Sequence, residues 1–103
     1  MVLSDAYVTD SLGQLRRDLR TTGYGQYIDF VAARAAEVAT FESEPRRFVE
    51  KVVEDVQQRL QDEFIDTTWP ACPRHANHPL NYADGVWRCP RDGAMVAPLG
   101  SLK

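Results

Sequence analysis

Every cysteine and histidine of this chain lies between Cys72 and Cys89, as Cys72, His75, His78 and Cys89. The cluster follows an abrupt change of composition at Asp66–Pro70. Ahead of the break there is a single proline, Pro45. Behind it come the other five of the 6 prolines and both tryptophans, Trp69 and Trp87. Proline lacks a backbone N–H and restricts the residue before it, so a stretch this rich in proline cannot continue as helix. The chain must therefore change architecture near residue 67. At 103 residues it has room for one domain, or a small domain with an appended module, and no more.

The region before the break reads as helices. Phe48, Val49, Val52, Val53, Val56, Leu60 and Phe64 recur every three or four residues, which predicts a helix over Glu44–Phe64 with one apolar stripe. Ser43 suits the N-cap, and Glu44 and Pro45 suit the first turn. Asp55–Arg59 and Arg59–Glu63 stand at the i,i+4 spacing of stabilising ion pairs. Glu50, Glu54 and Asp62 fall on the polar side and read as solvated. Tyr7, Val8, Leu12, Leu15 and Leu19 predict a second helix from about Asp5 to Thr21, stopped by Gly23. Tyr27, Val31, Ala35 and Val38 predict a third over Gln26–Thr40. Residues 1–66 are thus expected to pack as about three helices.

The region after the break reads as short strands. Pro79–Tyr82 and Val86–Cys89 flank Asp84-Gly85, a dipeptide that favours a tight hairpin turn. Ala94–Ala97 is a candidate third strand. The fold class is α+β: N-terminal helices over 1–66, then a small β module over 67–103 packed on them as one unit. Such a module has too little core to stand alone, so a metal or the helices must staple it.

The four cysteine and histidine residues carry the only concentrated chemistry. Zinc takes about four N, S or O donors in a tetrahedron, and a two-residue spacer on a tight turn lets two side chains converge on one ion. Here Cys72-Pro73-Arg74-His75 and Cys89-Pro90-Arg91-Asp92-Gly93 echo one another. On these residues the segment from about 69 to 100 resembles the zinc ribbons, in which two Cys-Pro-x-Cys-Gly turns separated by a β-hairpin hold one structural zinc. The resemblance implies a zinc-ribbon-like module with a structural zinc. It departs from that pattern where the second ligand of each turn would stand, at His75 and Asp92. Two ligand sets follow: Cys72, His75, His78 and Cys89, or a set in which Asp92 replaces His78. Thiolate and imidazole are the better zinc donors, which favours His78, whereas the ribbon's geometry favours Asp92.

Other readings of the same residues compete, among them free thiols or a Cys72–Cys89 bridge, which a reducing cytosol disfavours. The turns can hold by aromatic packing alone, without metal. Cys72 with His75 or His78 makes a nucleophile and base that lack an orienting third group. A catalytic zinc on Cys72, His75 and Cys89 needs an open position for water. No catalytic set and no cofactor-binding loop is otherwise read; Gly23-Tyr-Gly25 lacks the residues of a phosphate loop.

Charge narrows the partner. Residues 1–66 carry 8 basic and 13 acidic side chains, and residues 67–103 carry 4 and 2. Arg74, Arg88 and Arg91 give the module a mild positive excess, too sparse for a surface that neutralises many phosphates. The expected role is that of a non-enzymatic, metal-stabilised binding or adaptor protein, with a protein partner or self-association rather than nucleic acid. A nucleic-acid-binding ribbon and a small zinc hydrolase are the alternatives. No apolar run approaches a membrane span, and Met1–Asp10 has no secretory pattern, so the expected compartment is the cytoplasm.

Overall fold

The computed structural model describes residues 5–63, 68–73 and 78–102. Helix α1 spans Ala6–Thr21, α2 spans Ile28–Val38 and α3 spans Pro45–Asp62; strands β1, β2 and β3 span Asn81–Ala83, Val86–Arg88 and Met95–Pro98. The expected order, helices and then a small antiparallel sheet, is the order found.

Asp5 caps α1, its Oδ1 accepting from Tyr7 N at 2.8 Å and Val8 N at 3.4 Å. Val8, Leu12, Leu15 and Leu19 are buried as their spacing requires, whereas Tyr7 is 37 % exposed and lies outside the core. The helix ends as expected at Gly23 (φ 90°). Tyr24 N–H donates to Leu19 O at 2.7 Å and Gly23 N–H to Arg20 O at 3.1 Å, the paired closure that a left-handed glycine permits.

The segment expected as one helix over Gln26–Thr40 is split. Gly25–Tyr27 forms a 3-10 turn, entered through Tyr27 N–H to Tyr24 O at 3.0 Å, and α2 begins only at Ile28. Val31, Ala35 and Val38 form its buried face.

In α3 the cap is Glu44 rather than Ser43; its carboxylate accepts from Arg47 N at 2.9 Å. Pro45 is the cause. The residue before a proline is driven to extended backbone, so Glu44 (φ −84°, ψ 120°) cannot join the first turn and must cap it. Phe48, Val49, Val52, Val53, Val56 and Leu60 are all fully buried, and Phe64 lies outside the described residues. Arg59 pairs with Glu63 at 3.1 Å as its spacing predicts. Asp55 does not pair with Arg59. It binds Arg34 of α2 and Lys51, while the Arg59 guanidinium lies 5.1 Å over the Phe30 ring.

The three strands form one sheet in the order β1-β2-β3. Asp84 and Gly85 both have positive φ (50° and 83°), which makes the β1–β2 connection the two-residue turn that matches strand twist. Tyr82 is paired with Trp87, and Trp87 with Ala97, so these three share the inner face. An irregularity between Trp87 and Arg88 kinks the β2–β3 pairing. The inner face packs on the helices: Trp69, Leu80, Trp87 and Leu99 belong to the same buried cluster as the stripes of α1, α2 and α3.

Candidate metal centre

Two turns bring the cysteines into this core. In the first, a bridge pairs Ala71 with Pro79, flanked by Cys72 N–H to His78 O at 3.1 Å and Leu80 N–H to Pro70 O at 2.7 Å. Cys72 and His78 therefore stand directly opposite each other on a short antiparallel pair, which sends both side chains to one face of it. In the second turn, Cys89 N–H donates to Ala94 O at 2.9 Å and Gly93 N–H returns to Cys89 O at 2.9 Å. Gly93 has φ 73°, a conformation a side chain would resist. Asp92 Oδ1 accepts from Ala94 N at 2.9 Å, and Arg88 donates to Gly93 O at 3.2 Å. The Cys89-Pro90 sequence thus opens a closed, hydrogen-bonded turn, and Cys72 sits on paired backbone just before Pro73.

Cys72 and Cys89 are each 1 % exposed, His78 is half-buried and Asp92 is exposed. His75 lies outside the described residues, as does Arg74. Among the described residues no group of three or more His, Cys, Asp or Glu side chains is placed to hold a metal. The donor types are ones zinc accepts: two buried thiols, which bind zinc as thiolates, with the His78 residue paired opposite Cys72.

What joins the module to the helices is a set of polar residues that carries no motif. Asp18 of α1 is fully buried, and three N–H groups converge on its carboxylate. Trp87 Nε1 and Gly100 N donate to Oδ2 at 2.9 and 2.7 Å, and Leu102 N donates to Oδ1 at 3.0 Å. One helical turn on, Thr22 Oγ1 accepts from Trp69 Nε1 at 2.9 Å while donating to Asp18 O at 2.7 Å. From α3, Gln57 Nε2 donates to Leu80 O at 3.0 Å and to Trp69 O at 3.3 Å. The two indoles meet edge to face at 5.7 Å, a contact worth about 0.5–1.5 kcal/mol beyond the area buried. A buried indole N–H without an acceptor is costly, so Asp18 and Thr22 decide where each tryptophan can sit. One signal for Asp18 is present in the sequence. It stands between Leu15 and Leu19 at the stripe spacing, on the face that faces inward.

Tyr82 completes the inner face, edge to face with Trp87 at 5.7 Å. Its buried hydroxyl makes no hydrogen bond among the described residues, and burial pushes its phenol well above the ordinary tyrosine value.

The chain matches no family model, no curated protein and no solved structure.

Proposed function

We propose that this chain is a non-enzymatic binding or adaptor protein whose C-terminal β module is stapled by one structural zinc. The ligands are Cys72, Cys89, His75 and His78, with Asp92 as the alternative to His78. The observation that carries the reading is the pair of Cys-Pro sequences, each with its cysteine on hydrogen-bonded backbone and at 1 % exposure. Thiols withdrawn from water suit a closed structural site better than a catalytic one, which keeps a position open to solvent. When bound, the ion supplies no chemistry beyond fixing the two turns together. Asp92 is the weaker candidate because one of its carboxylate oxygens already accepts from Ala94 N in its own turn.

A protein partner or a second copy fits the surface better than nucleic acid. Single-stranded nucleic acid needs exposed aromatic faces for stacking. Trp69 and Trp87 are 2 % and 0 % exposed, so the two largest rings are spent on the core. Arg88 and Arg91 are exposed, but they are few against an acidic body. No described helix is long and apolar enough to cross a membrane, and the proposed compartment is the cytoplasm.

Elemental analysis of the purified protein tests the reading. The expected result is one zinc per chain, lost in Cys72→Ser and in Cys89→Ser, lost in His78→Ala and retained in Asp92→Ala. Loss in Asp92→Ala with retention in His78→Ala reverses the fourth ligand. Folded protein that takes up no zinc when supplied with it would end the proposal.

A further inference from the structure

The segment Leu99–Leu102 follows β3 and is tied to the sheet only at its start. Leu99 N–H donates to Gly85 O at 2.9 Å, and Ser101 N–H closes a turn onto Pro98 O at 3.0 Å. Its two remaining backbone donors, Gly100 N and Leu102 N, both end on the Asp18 carboxylate of α1. Gly100 has φ 94° and passes so close to the helix that a Cβ there would stand 2.9 Å from Gln14 Cβ. Ser101 and Leu102 form one wall of an apolar groove of about 280 Å³, facing Ala71, Pro73 and Leu80 of the first turn and Val96 of β3.

We infer that Gly100–Leu102 is a latched strap hinged at the buried Leu99: it opens and closes as a unit on an otherwise folded body, with Asp18 as the latch. Opening it breaks the two backbone contacts to one carboxylate and the Ser101 N–H turn onto Pro98, and leaves the Leu99 N–H on Gly85. Asp18 keeps Trp87 Nε1 as a partner in the open state, and water replaces the two amides, so the carboxylate is never stranded. Opening β2 instead would expose Trp87 and much of the shared core. Segments with few apolar contacts and a single fastening open locally, far below the free energy of global unfolding. The closed strap narrows the groove, and the open strap removes Ser101 and Leu102 from its wall and widens access to Leu80 and Val96. The latch needs an acid. A carboxylate has acceptors only, whereas an asparagine that accepts from Trp87 and Gly100 must turn its NH2 toward the Leu102 N–H, donor against donor. This inference does not depend on a bound metal.

Residue-resolved amide exchange of the whole chain across a low urea series tests it. In the wild type, Gly100 and Leu102 amides should exchange about tenfold or more faster than those of Trp87 and Arg88 in β2, with a rate nearly independent of urea. Asp18→Asn should speed Leu102 a further tenfold or so, with Trp87 changed by less than about twofold. Gly100 and Leu102 sharing the rate and urea dependence of Trp87 in the wild type would overturn the strap, because they would then open only with the sheet. Equal acceleration of Leu102 and Trp87 in Asp18→Asn would also overturn it. The wild-type series decides the matter even if the variant fails to fold.

Discussion

The helices and the β module bury their surfaces by different means. In α2 and α3 the buried faces are apolar: Val31, Val38, Phe48, Val52, Val56 and Leu60 are all fully buried and need only to be out of water. Burial of this kind is non-directional and worth about 25 cal/mol per Å². The strands of the module are three or four residues long, too short to bury much on their own. Its largest side chains are indoles with an N–H to satisfy, and the acceptors come from outside it, as Asp18 and Thr22 on α1. Hydrophobic burial makes the helices collapse, whereas directional hydrogen bonds tell the module where to dock. A helix face tolerates some repacking; an indole N–H aimed at a buried carboxylate does not.

The largest effect should come from the helical side. Val56→Asp places an unpaired charge in the packed stripe and should cost about 4 kcal/mol or more, enough to unfold the chain in urea titration. A soluble variant that melts normally would mean that the stripe is not the driving core. Asp18→Ala attacks the other side. It leaves three N–H donors without their acceptor and should cost about 3 kcal/mol. The near-ultraviolet signal of the two tryptophans should collapse while most far-ultraviolet helix signal survives. If both signals fall together, the two regions are one cooperative unit and the contrast fails.

Metal removal should come next. If zinc staples the two turns, chelation from about a hundredfold excess over the dissociation constant should lower stability by about 2.7 kcal/mol. Faster amide exchange should be concentrated at Cys72, Leu80, Cys89, Gly93 and Ala94, with Val52 and Val56 little changed. Exchange over Leu80–Ala97 that ignores chelator would leave aromatic packing and Asp18 as the staples.

The smallest effect concerns Tyr82. Removing its buried hydroxyl as Tyr82→Phe should change stability by no more than about 1 kcal/mol at neutral pH. The pH dependence has a definite sign. Its phenol is raised in the folded state, so below about pH 10 both states keep the proton and nothing changes. Above that, the unfolded chain ionises first and stability falls. The Phe variant should lose less stability than the wild type between about pH 10 and 11. An identical alkaline slope in both proteins would show that Tyr82 ionises as freely folded as unfolded.

Much of this fold was legible in the sequence, because the signals are local. The α1 and α3 stripes, the Gly23 stop, the Asp84-Gly85 hairpin and the turn after Cys89 each depend on residues within a few positions of one another. Where the local reading failed, a neighbour outweighed propensity. Ser43 is the better cap by residue type, but Pro45 forces Glu44 into that place. Asp55 is correctly spaced for Arg59, but Arg34 of α2 is brought to it by helix packing. In the candidate site, the sequence offers Cys72, His75, His78, Cys89 and Asp92 as donors; the structure describes closed backbone around Cys89, and His75 lies outside the described residues. Thr22 and Gln57, by contrast, look like ordinary surface residues of amphipathic helices.

By itself, the sequence determined the kinds of element and their order, since periodicity, proline and glycine act through backbone geometry over one or two turns. Only the tertiary structure decided that a carboxylate on α1 would be buried against the C-terminal segment some eighty residues away. Whether a buried acid is tolerated depends on which donors surround it, and those donors arrive only when the chain is folded.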